Sequence, residues 1–340
     1  MQLLEPLYSL ELVTLVYLQK LPLFTGPVAE RFWQICTKLG DPGWSFLVYF
    51  PLFYPLIPRK AIQFLIAAAV SEFVNGDLKW ALLGDRPYWY TFEHDSHWKS
   101  ARIHLKQFPL TCETGPGSPS GHVMVTASVF YCLTVAARDR GYGRPAFIGY
   151  CLLLFFVSIS RLYIVAHFPH QVFLGLFGGL LVGLLCVHID PSKWKFSHSL
   201  TLAGALTASG LAVFFGLQIL HIDPNWTIPL AMKWCEKSEW IHLSTTPMAA
   251  LVRDVSSLIA LGFCLKFTVP VAWCESSSRL FASSVNLTII VLLNKMPFPQ
   301  DDPTLFYCYT FALNVVRVVI SMILVPFVFK KLFAAKYKKL

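Results

Sequence analysis

Long apolar runs dominate the chain, and polar residues collect in the short segments between them. Nine apolar cores fall near 41–57, 61–78, 121–137, 146–162, 170–189, 200–220, 248–267, 280–297 and 304–329. Runs of this length predict membrane-crossing helices, because a hydrocarbon layer about 30 Å thick needs roughly 20 helical residues. A lipid-facing strand would leave backbone N–H and C=O groups unpaired, so helix is the expected conformation. Pro51 and Pro55 make the first core the weakest, and neighbouring helices must satisfy the carbonyls they free. The last core is longer than one crossing requires, so it should tilt or run past the membrane. Residues 1–24 differ, because Glu5, Glu11 and Lys20 interrupt their leucine-rich pieces. With no basic start and no small-residue cleavage site, they predict an amphipathic interfacial helix rather than a secretory signal. The expected architecture is all-α: a polytopic membrane helical bundle of about nine transmembrane helices, forming one integral-membrane domain over 1–340.

Composition points the same way. Of 340 residues, 55% are hydrophobic and only 14% charged, against about 25% charged in soluble domains. Mean hydropathy is +0.56. The net charge of +9 would suggest nucleic-acid binding in a soluble protein. Here much of the excess flanks the membrane segments, where topology and anionic lipid account for it; the expected partner is membrane lipid, not nucleic acid. Arg59 and Lys60, Arg138, Arg140 and Arg144, Lys193 and Lys195, and the lysines after 329 crowd short loops and the C-terminus. Short basic loops stay cytosolic, so the C-terminus is expected there and the N-terminus on the far side. The tail Lys336-Tyr-Lys338-Lys-Leu340 resembles a dilysine endoplasmic-reticulum retrieval signal; a plain basic terminus reads equally well. Cys36, Cys112 and Cys235 fall on the expected non-cytosolic side, where a Cys112–Cys235 bridge is one pairing the sequence permits. Asn225-Trp-Thr227 is a glycosylation sequon close to the membrane, and Asn286-Leu-Thr288 lies inside a helix.

Three segments carry the chemistry. Lys79 and Arg86, in Lys79-Trp-Ala-Leu-Leu-Gly-Asp-Arg86-Pro87, stand seven apart, about two helical turns, and can face one way. Alone they read as snorkelling anchors. Gly115-Pro-Gly-Ser-Pro119-Ser120-Gly121-His122 leads into the third core. Ser118 is expected to cap that helix, with Pro119 at its first position. Free N–H groups at a helix start favour an anion. Gly121 leaves room for one, Ser120 offers a hydroxyl, and His122 offers a proton near neutral pH. Alone, this is as well an ordinary capped loop. The third segment is Ser160-Arg161-Leu-Tyr-Ile-Val-Ala-His167-Phe-Pro-His170-Gln171. An arginine ending an apolar helix is expensive unless it pairs or coordinates something. By the expected topology all three open to one side of the membrane. Together they supply three cations, an anion-binding helix start and two histidines, the inventory of phosphoryl transfer. Neither a Walker motif nor an acidic metal cluster is present, so a route without metal or cofactor is expected.

These segments match the signature KxxxxxxRP, PSGH and SRxxxxxHxxxD of the phosphatidic-acid-phosphatase type 2 and vanadium-haloperoxidase superfamily, except that Gln171 stands at the final Asp. Within it the chain resembles the glucose-6-phosphatase catalytic subunits. Cys112-Glu-Thr-Gly-Pro-Gly-Ser-Pro-Ser-Gly-His122, Ala166-His-Phe-Pro-His-Gln171 and Lys233-Trp-Cys-Glu-Lys-Ser-Glu-Trp-Ile-His242 carry that likeness, and the family has Gln at the departing position. Gly84-Asp85-Arg86-Pro87 and Leu39-Gly-Asp-Pro42 lean toward its third, widely expressed isoform. The resemblance implies hydrolysis of glucose 6-phosphate at the lumenal face of the endoplasmic-reticulum membrane, with a place in gluconeogenesis. It implies His167 as nucleophile and His122 as general acid and then base. Lys79, Arg86 and Arg161 would hold the phosphate, helped by Ser120 and the N–H of Gly121. It also implies functional coupling to a glucose-6-phosphate transporter.

Gln171 can orient an imidazole but supplies no charge. Asp41 is a candidate for the missing carboxylate; equally, Gly-Asp-Pro only shapes a turn. Tyr88, Trp89 and Tyr90 would line the sugar site or form an interfacial belt. Trp234, Glu236, Glu239, Trp240 and His242 would cap it or only pack their loop. Glu72, Asn75 and Asp77 are expected to face the bundle near the site. The alternatives are a related polyol phosphate such as 1,5-anhydroglucitol 6-phosphate, a lipid phosphate, and a sugar-phosphate transporter or binding subunit.

Overall fold

The computed structural model describes residues 5–93, 105–267, 276–296 and 302–337. Among them, extended pairing is limited to a single bridge between Glu113 and His242; the remaining regular structure is helix. The elements are α1 (Glu5–Lys20), α2 (Pro27–Leu39), α3 (Pro58–Leu82), α4 (Pro87–Glu93), α5 (Gly121–Arg138), α6 (Gly143–Tyr163), α7 (Pro169–Cys186), α8 (Phe196–Ile219), α9 (Thr227–Trp234), α10 (Pro247–Phe267), α11 (Ser276–Leu293), α12 (Pro303–Val319) and α13 (Val325–Tyr337). Seven helical stretches are long and apolar enough to cross a membrane, so the chain is a multi-pass membrane protein. They coincide with seven of the nine expected cores. The other two are helical but shorter. Core 280–297 becomes α11, whose apolar part is Ser278–Leu293.

Core 41–57 is broken into Pro42–Trp44, a wider π-turn at Ser45–Tyr49, and Phe50–Phe53. The prolines cause the break. Pro55 lacks the N–H that would bond the Pro51 carbonyl. The Asn286 amide on α11 donates to that carbonyl instead, at 2.9 Å. A polar side chain buried in an apolar helix is thereby explained.

α3 is central. Ala61 through Ala69 are buried without interruption, and α5, α8 and α10 pack around that helix. A helix buried on every side needs no apolar stripe. The outer helices instead expose Phe155, Phe173, Leu185 and Phe215, as lipid-facing surfaces should. α7 lies hard against α5 through glycines four residues apart: a Cβ on Gly175 would meet the Ser120 carbonyl at 2.6 Å, and one on Gly179 the Met124 carbonyl at 2.2 Å. This small-residue contact brings the starts of α5 and α7 together.

The expected helix near the N-terminus is present. α1 buries Tyr8, Leu12 and Leu15, whose i, i+4, i+7 spacing puts the three on one face. Glu11 accepts the His170 N–H at 2.8 Å and pairs with its imidazole. The first helix is therefore docked on the loop that carries His167. The tail lysines are part of the expected retrieval signal, and residues 338–340 lie outside the described residues.

Candidate active site

The three motif segments meet at one end of the bundle. They span the C-terminal end of α3, the start of α5, and the turn from the end of α6 to the start of α7. Arg86 joins them. Its Nε donates to the Gly115 carbonyl at 2.7 Å, Nη1 to Ala166 at 3.0 Å, and Nη2 to Pro116 at 3.2 Å. The guanidinium is fully buried, and its planar fork suits carbonyls arriving from several directions.

The loop before α5 departs from expectation. Ser118 does not cap the helix and Pro119 is not its first residue; α5 begins at Gly121, after Ser120. Tertiary hydrogen bonds hold the loop extended instead. The Gly117 N–H donates to Gly84 at 2.7 Å and the Ser120 N–H to the Gln171 carbonyl at 3.0 Å. Gly117 has no space for a side chain, since a Cβ would lie 2.3 Å from the Asp85 carbonyl. Gly121 packs on Asn75, where a Cβ would come within 2.9 Å of the amide oxygen.

His167 sits just beyond a reversal at Val165, whose φ of +51° is costly for a β-branched residue. The turn is held by Val165 N–H to Leu162 and Ala166 N–H to Arg161. The His167 Nδ1 is 2.7 Å from the Gly117 carbonyl. A carbonyl only accepts, so Nδ1 carries the proton and Nε2 the lone pair. Gln171 adds support: its Oε1 is 3.3 Å from Nδ1 and accepts the Phe168 N–H, while its Nε2 donates to Asp85 at 2.7 Å. Asp41 does not orient His167. Its carboxylate accepts the Gly43 N–H at 2.8 Å and caps the short helix at Pro42. The orienting acceptor is a backbone carbonyl.

The Nε2 of His167 is buried with no hydrogen-bond partner, as is the Ser120 hydroxyl. His167 lies beside the charges of Arg86 and Arg161. Arg161 donates Nη1 to Thr37 at 2.8 Å, and the same atom is 3.5 Å from His122 Nε2. The Lys79 side chain is almost fully buried, and its ammonium would be 3.6 Å from a Cβ on Gly115. Arg86 and Arg161 converge on Glu113, a residue with no expected role. One of its oxygens lies 2.9 Å from Arg86 Nη2, and the other pairs with Arg161 Nη2. His122 Nδ1 is 3.5 Å away and His167 Nε2 3.9 Å. Burial pushes the Glu113 carboxyl up, but the Arg161 and Arg86 charges outweigh it and hold it well below the usual carboxylate range. Burial, then the same arginines, push His167 well below the usual imidazole range. A neutral imidazole with an unshared pair thus faces a cationic cradle.

The cradle opens on a cavity of about 380 Å³, which Lys79, Glu113, Gly121 and His122 line together. Asp41, Glu72, Asn75, Arg253, Asn314 and Arg317 are among its polar walls. Arg253 donates its Nε to Glu72 at 3.0 Å, which accounts for a carboxylate midway along α3. Asp77, by contrast, accepts from Ser209 at 3.1 Å and does not line the cavity. Tyr88, Trp89 and Tyr90 are neither a sugar wall nor an interfacial belt. They are buried and pack with Tyr8 and Phe168 beneath the His167 loop. Of the loop after α8, His242 reaches the cavity, together with Ser244, Thr245 and Thr246. Trp234 and Glu236 are engaged elsewhere, with Glu93 and with Gln107. Cys112 and Cys235 are disulfide-bonded, fixing that loop beside Glu113. Among the described residues no group of His, Cys, Asp and Glu forms a metal site.

Comparison with known proteins gives the same neighbourhood. The PAP2 superfamily domain matches residues 60–195, which include all three motif segments. Human "Glucose-6-phosphatase 3" is 34% identical over 87% of this chain and 89% of its own. Human "Glucose-6-phosphatase 2" is 35% identical over 82% and 85%. "Glucose-6-phosphatase catalytic subunit 1" of Haplochromis nubilus is 32% identical over 90% and 92%. The three types match about equally, so the comparison does not single out the third isoform. No solved structure matches the chain.

Proposed function

Because the chain belongs to the glucose-6-phosphatase family within the PAP2 superfamily, we propose that it hydrolyses glucose 6-phosphate through a phosphohistidine on His167. The observation that carries this reading is the His167 imidazole, proton-bearing at Nδ1 toward Gly117 and open at Nε2 toward the point where Arg86 and Arg161 converge.

Nε2 attacks phosphorus, and the bond from phosphorus to the sugar oxygen breaks. His122 gives that oxygen its proton and glucose leaves. Water then attacks the phosphohistidine, His122 takes the water proton, and the bond between phosphorus and Nε2 breaks to release inorganic phosphate. Arg86, Arg161 and Lys79 hold the phosphoryl oxygens as charge develops, with the Ser120 hydroxyl and the Gly121 N–H as further donors.

A sugar phosphate is favoured over a lipid phosphate because the cavity beside His122 is walled by charged and amide side chains. An acyl chain there would desolvate the Glu72–Arg253 pair without replacing any contact. Its volume of about 380 Å³ is in the range of small-molecule sites, ~300–1,000 Å³. The site is assigned to the lumenal face of the endoplasmic-reticulum membrane, on the charge density of the short loops. A lumenal site makes hydrolysis depend on a glucose-6-phosphate transporter.

The test is a substrate panel with sealed and detergent-opened microsomes. Glucose 6-phosphate, 1,5-anhydroglucitol 6-phosphate and phosphatidic acid are compared for phosphate release. Preference for a sugar phosphate, with latency in sealed vesicles, is expected. Equal rates in both preparations contradict the lumenal site, and preference for phosphatidic acid contradicts the substrate.

A further inference from the structure

Glu113 stands where the cations converge, so it cannot be a phosphate ligand in its present place. Two anions do not share one cradle. Its carboxylate spans Arg86 and Arg161 and faces both histidines, and its side chain is 7% exposed. Its backbone is fixed on both sides. Tyr88 donates its hydroxyl to the Glu113 carbonyl at 3.1 Å. The Thr114 N–H donates to Thr245 at 2.9 Å, and Thr227 donates to the Thr114 carbonyl at 2.6 Å. Cys112 is tied to Cys235. Any exchange at the cradle must therefore be a rotation of the side chain. The cavity that Glu113 itself borders, beside Asn75 and Lys79, gives it somewhere to go.

We propose that Glu113 is an internal anion that holds the phosphate cradle between turnovers, is displaced by the substrate phosphate, and by returning expels the product phosphate. The inference rests on the reading of the cradle as a phosphate site.

The physical case is charge compensation. Buried guanidiniums with no counter-ion are costly, and the carboxylate removes that cost. A phosphate dianion brings twice the charge and a third oxygen, so it can displace one carboxylate; a monoanionic ligand cannot do so as well. The competition weakens phosphate and phosphate ester alike. It therefore lowers uniform binding, which adds nothing to turnover, and shortens the life of the product complex. If Glu113 were only a scaffold or a substrate contact, removing its charge would weaken anion binding. If it is the competitor, removing its charge strengthens it.

The test uses the full-length protein purified in detergent, with inorganic phosphate as the probe. Phosphate affinity is read as competitive inhibition of hydrolysis and, independently of activity, as the phosphate-induced rise in melting temperature. Glu113→Gln should bind phosphate at least ~10-fold more tightly than wild type, the ratio that ~1.4 kcal/mol represents, with KM and kcat for the substrate both lowered. Glu113→Asp keeps the charge but stops one methylene short, and should fall between. A Glu113→Gln protein that survives purification only with phosphate present supports the proposal, and Glu113→Asp then supplies the affinity. Unchanged or weaker phosphate binding in both variants overturns it. If wild type hydrolyses no sugar phosphate while Glu113→Gln still binds phosphate more tightly, the substrate assignment fails and the competitor role stands.

Discussion

Arg86→Lys keeps a cation near the phosphate cradle but removes the fork. Arg86 donates from three nitrogens to the carbonyls of Gly115, Ala166 and Pro116, and also pairs with Glu113. An ammonium presents its donors from one point and can reach Glu113 and one of those carbonyls. Two buried carbonyls then lose their donor, at about 1–3 kcal/mol each. The expected loss is roughly 2–6 kcal/mol, a large share of the 5–15 kcal/mol of an ordinary domain. The lost bonds join the loop before α5 to the loop carrying His167, so catalytic geometry goes with them. Arg161→Lys is the control. Arg161 has Thr37 and Glu113 as its main partners, and a lysine can keep one. It should lose roughly 10–100-fold in kcat/KM for one charge-assisted contact while melting close to wild type. Melting curves in detergent and phosphate-release kinetics on both variants give the answer. If Arg86→Lys melts no lower than Arg161→Lys, the stitching role of Arg86 is wrong.

Gly117→Ala places a Cβ 2.3 Å from the Asp85 carbonyl and shifts the carbonyl that orients His167. kcat should fall at least ~10-fold, as for other misplaced catalytic groups, with the protein still folded; unimpaired kcat contradicts that orientation. Gln171→Glu restores a carboxylate near the position where the superfamily has Asp, yet it should impair rather than improve activity. It replaces the amide N–H that meets the Asp85 carbonyl at 2.7 Å with an acceptor, so a gain in kcat refutes this account. Acidification should lower stability in two steps. Folded His167 resists protonation well below the usual range, whereas the unfolded chain takes that proton near about pH 6.5. Stability is therefore lost as pH falls below about 6.5. Glu113, held well below the usual carboxylate range, contributes stability present above about pH 4.3, the unfolded value, and lost as pH falls through its lower folded value. Melting temperatures of wild type and His167→Asn from pH 7.5 to 5 should converge as pH falls; parallel curves contradict the His167 step.

The cradle was legible because its cations and histidines sit in rigid spacings beside helix ends, where apolar context makes each charge conspicuous. Lys79 and Arg86, and Arg161 and His167, each needed only one helix end to be aimed. Glu113 was not legible. It lies in a loop with no periodicity, and its partner Arg161 is 48 residues away. The signal that could have found it was arithmetic: three cations in a dry site need an anion. Ser118 misled for a related reason. Its local sequence favours a cap, but hydrogen bonds from Gly117 to Gly84 and from Ser120 to Gln171 outweigh a local preference worth ~1 kcal/mol. Tyr88, Trp89 and Tyr90 look like a belt in any hydropathy profile. Tertiary packing buries them, with Tyr8 of α1 stacked on Tyr90 at 4.8 Å and Phe168 and Trp226 against the same aromatics. The break at Pro51 was visible, whereas its repair by Asn286 requires the packing of α11.

The central claim is that His167 Nε2 becomes bonded to phosphorus. Purified protein is mixed with glucose 6-phosphate carrying radioactive phosphate and quenched in alkali within milliseconds. Wild type should retain label that is stable to base and released by acid, as a phosphohistidine is, with the label on the peptide containing residue 167. His122→Ala should retain it longer than wild type where the sugar has left, because the water step lacks its base. His167→Ala should retain none and hydrolyse nothing. Label trapped in His167→Ala, or hydrolysis by wild type with no trapped label at any quench time, contradicts the account.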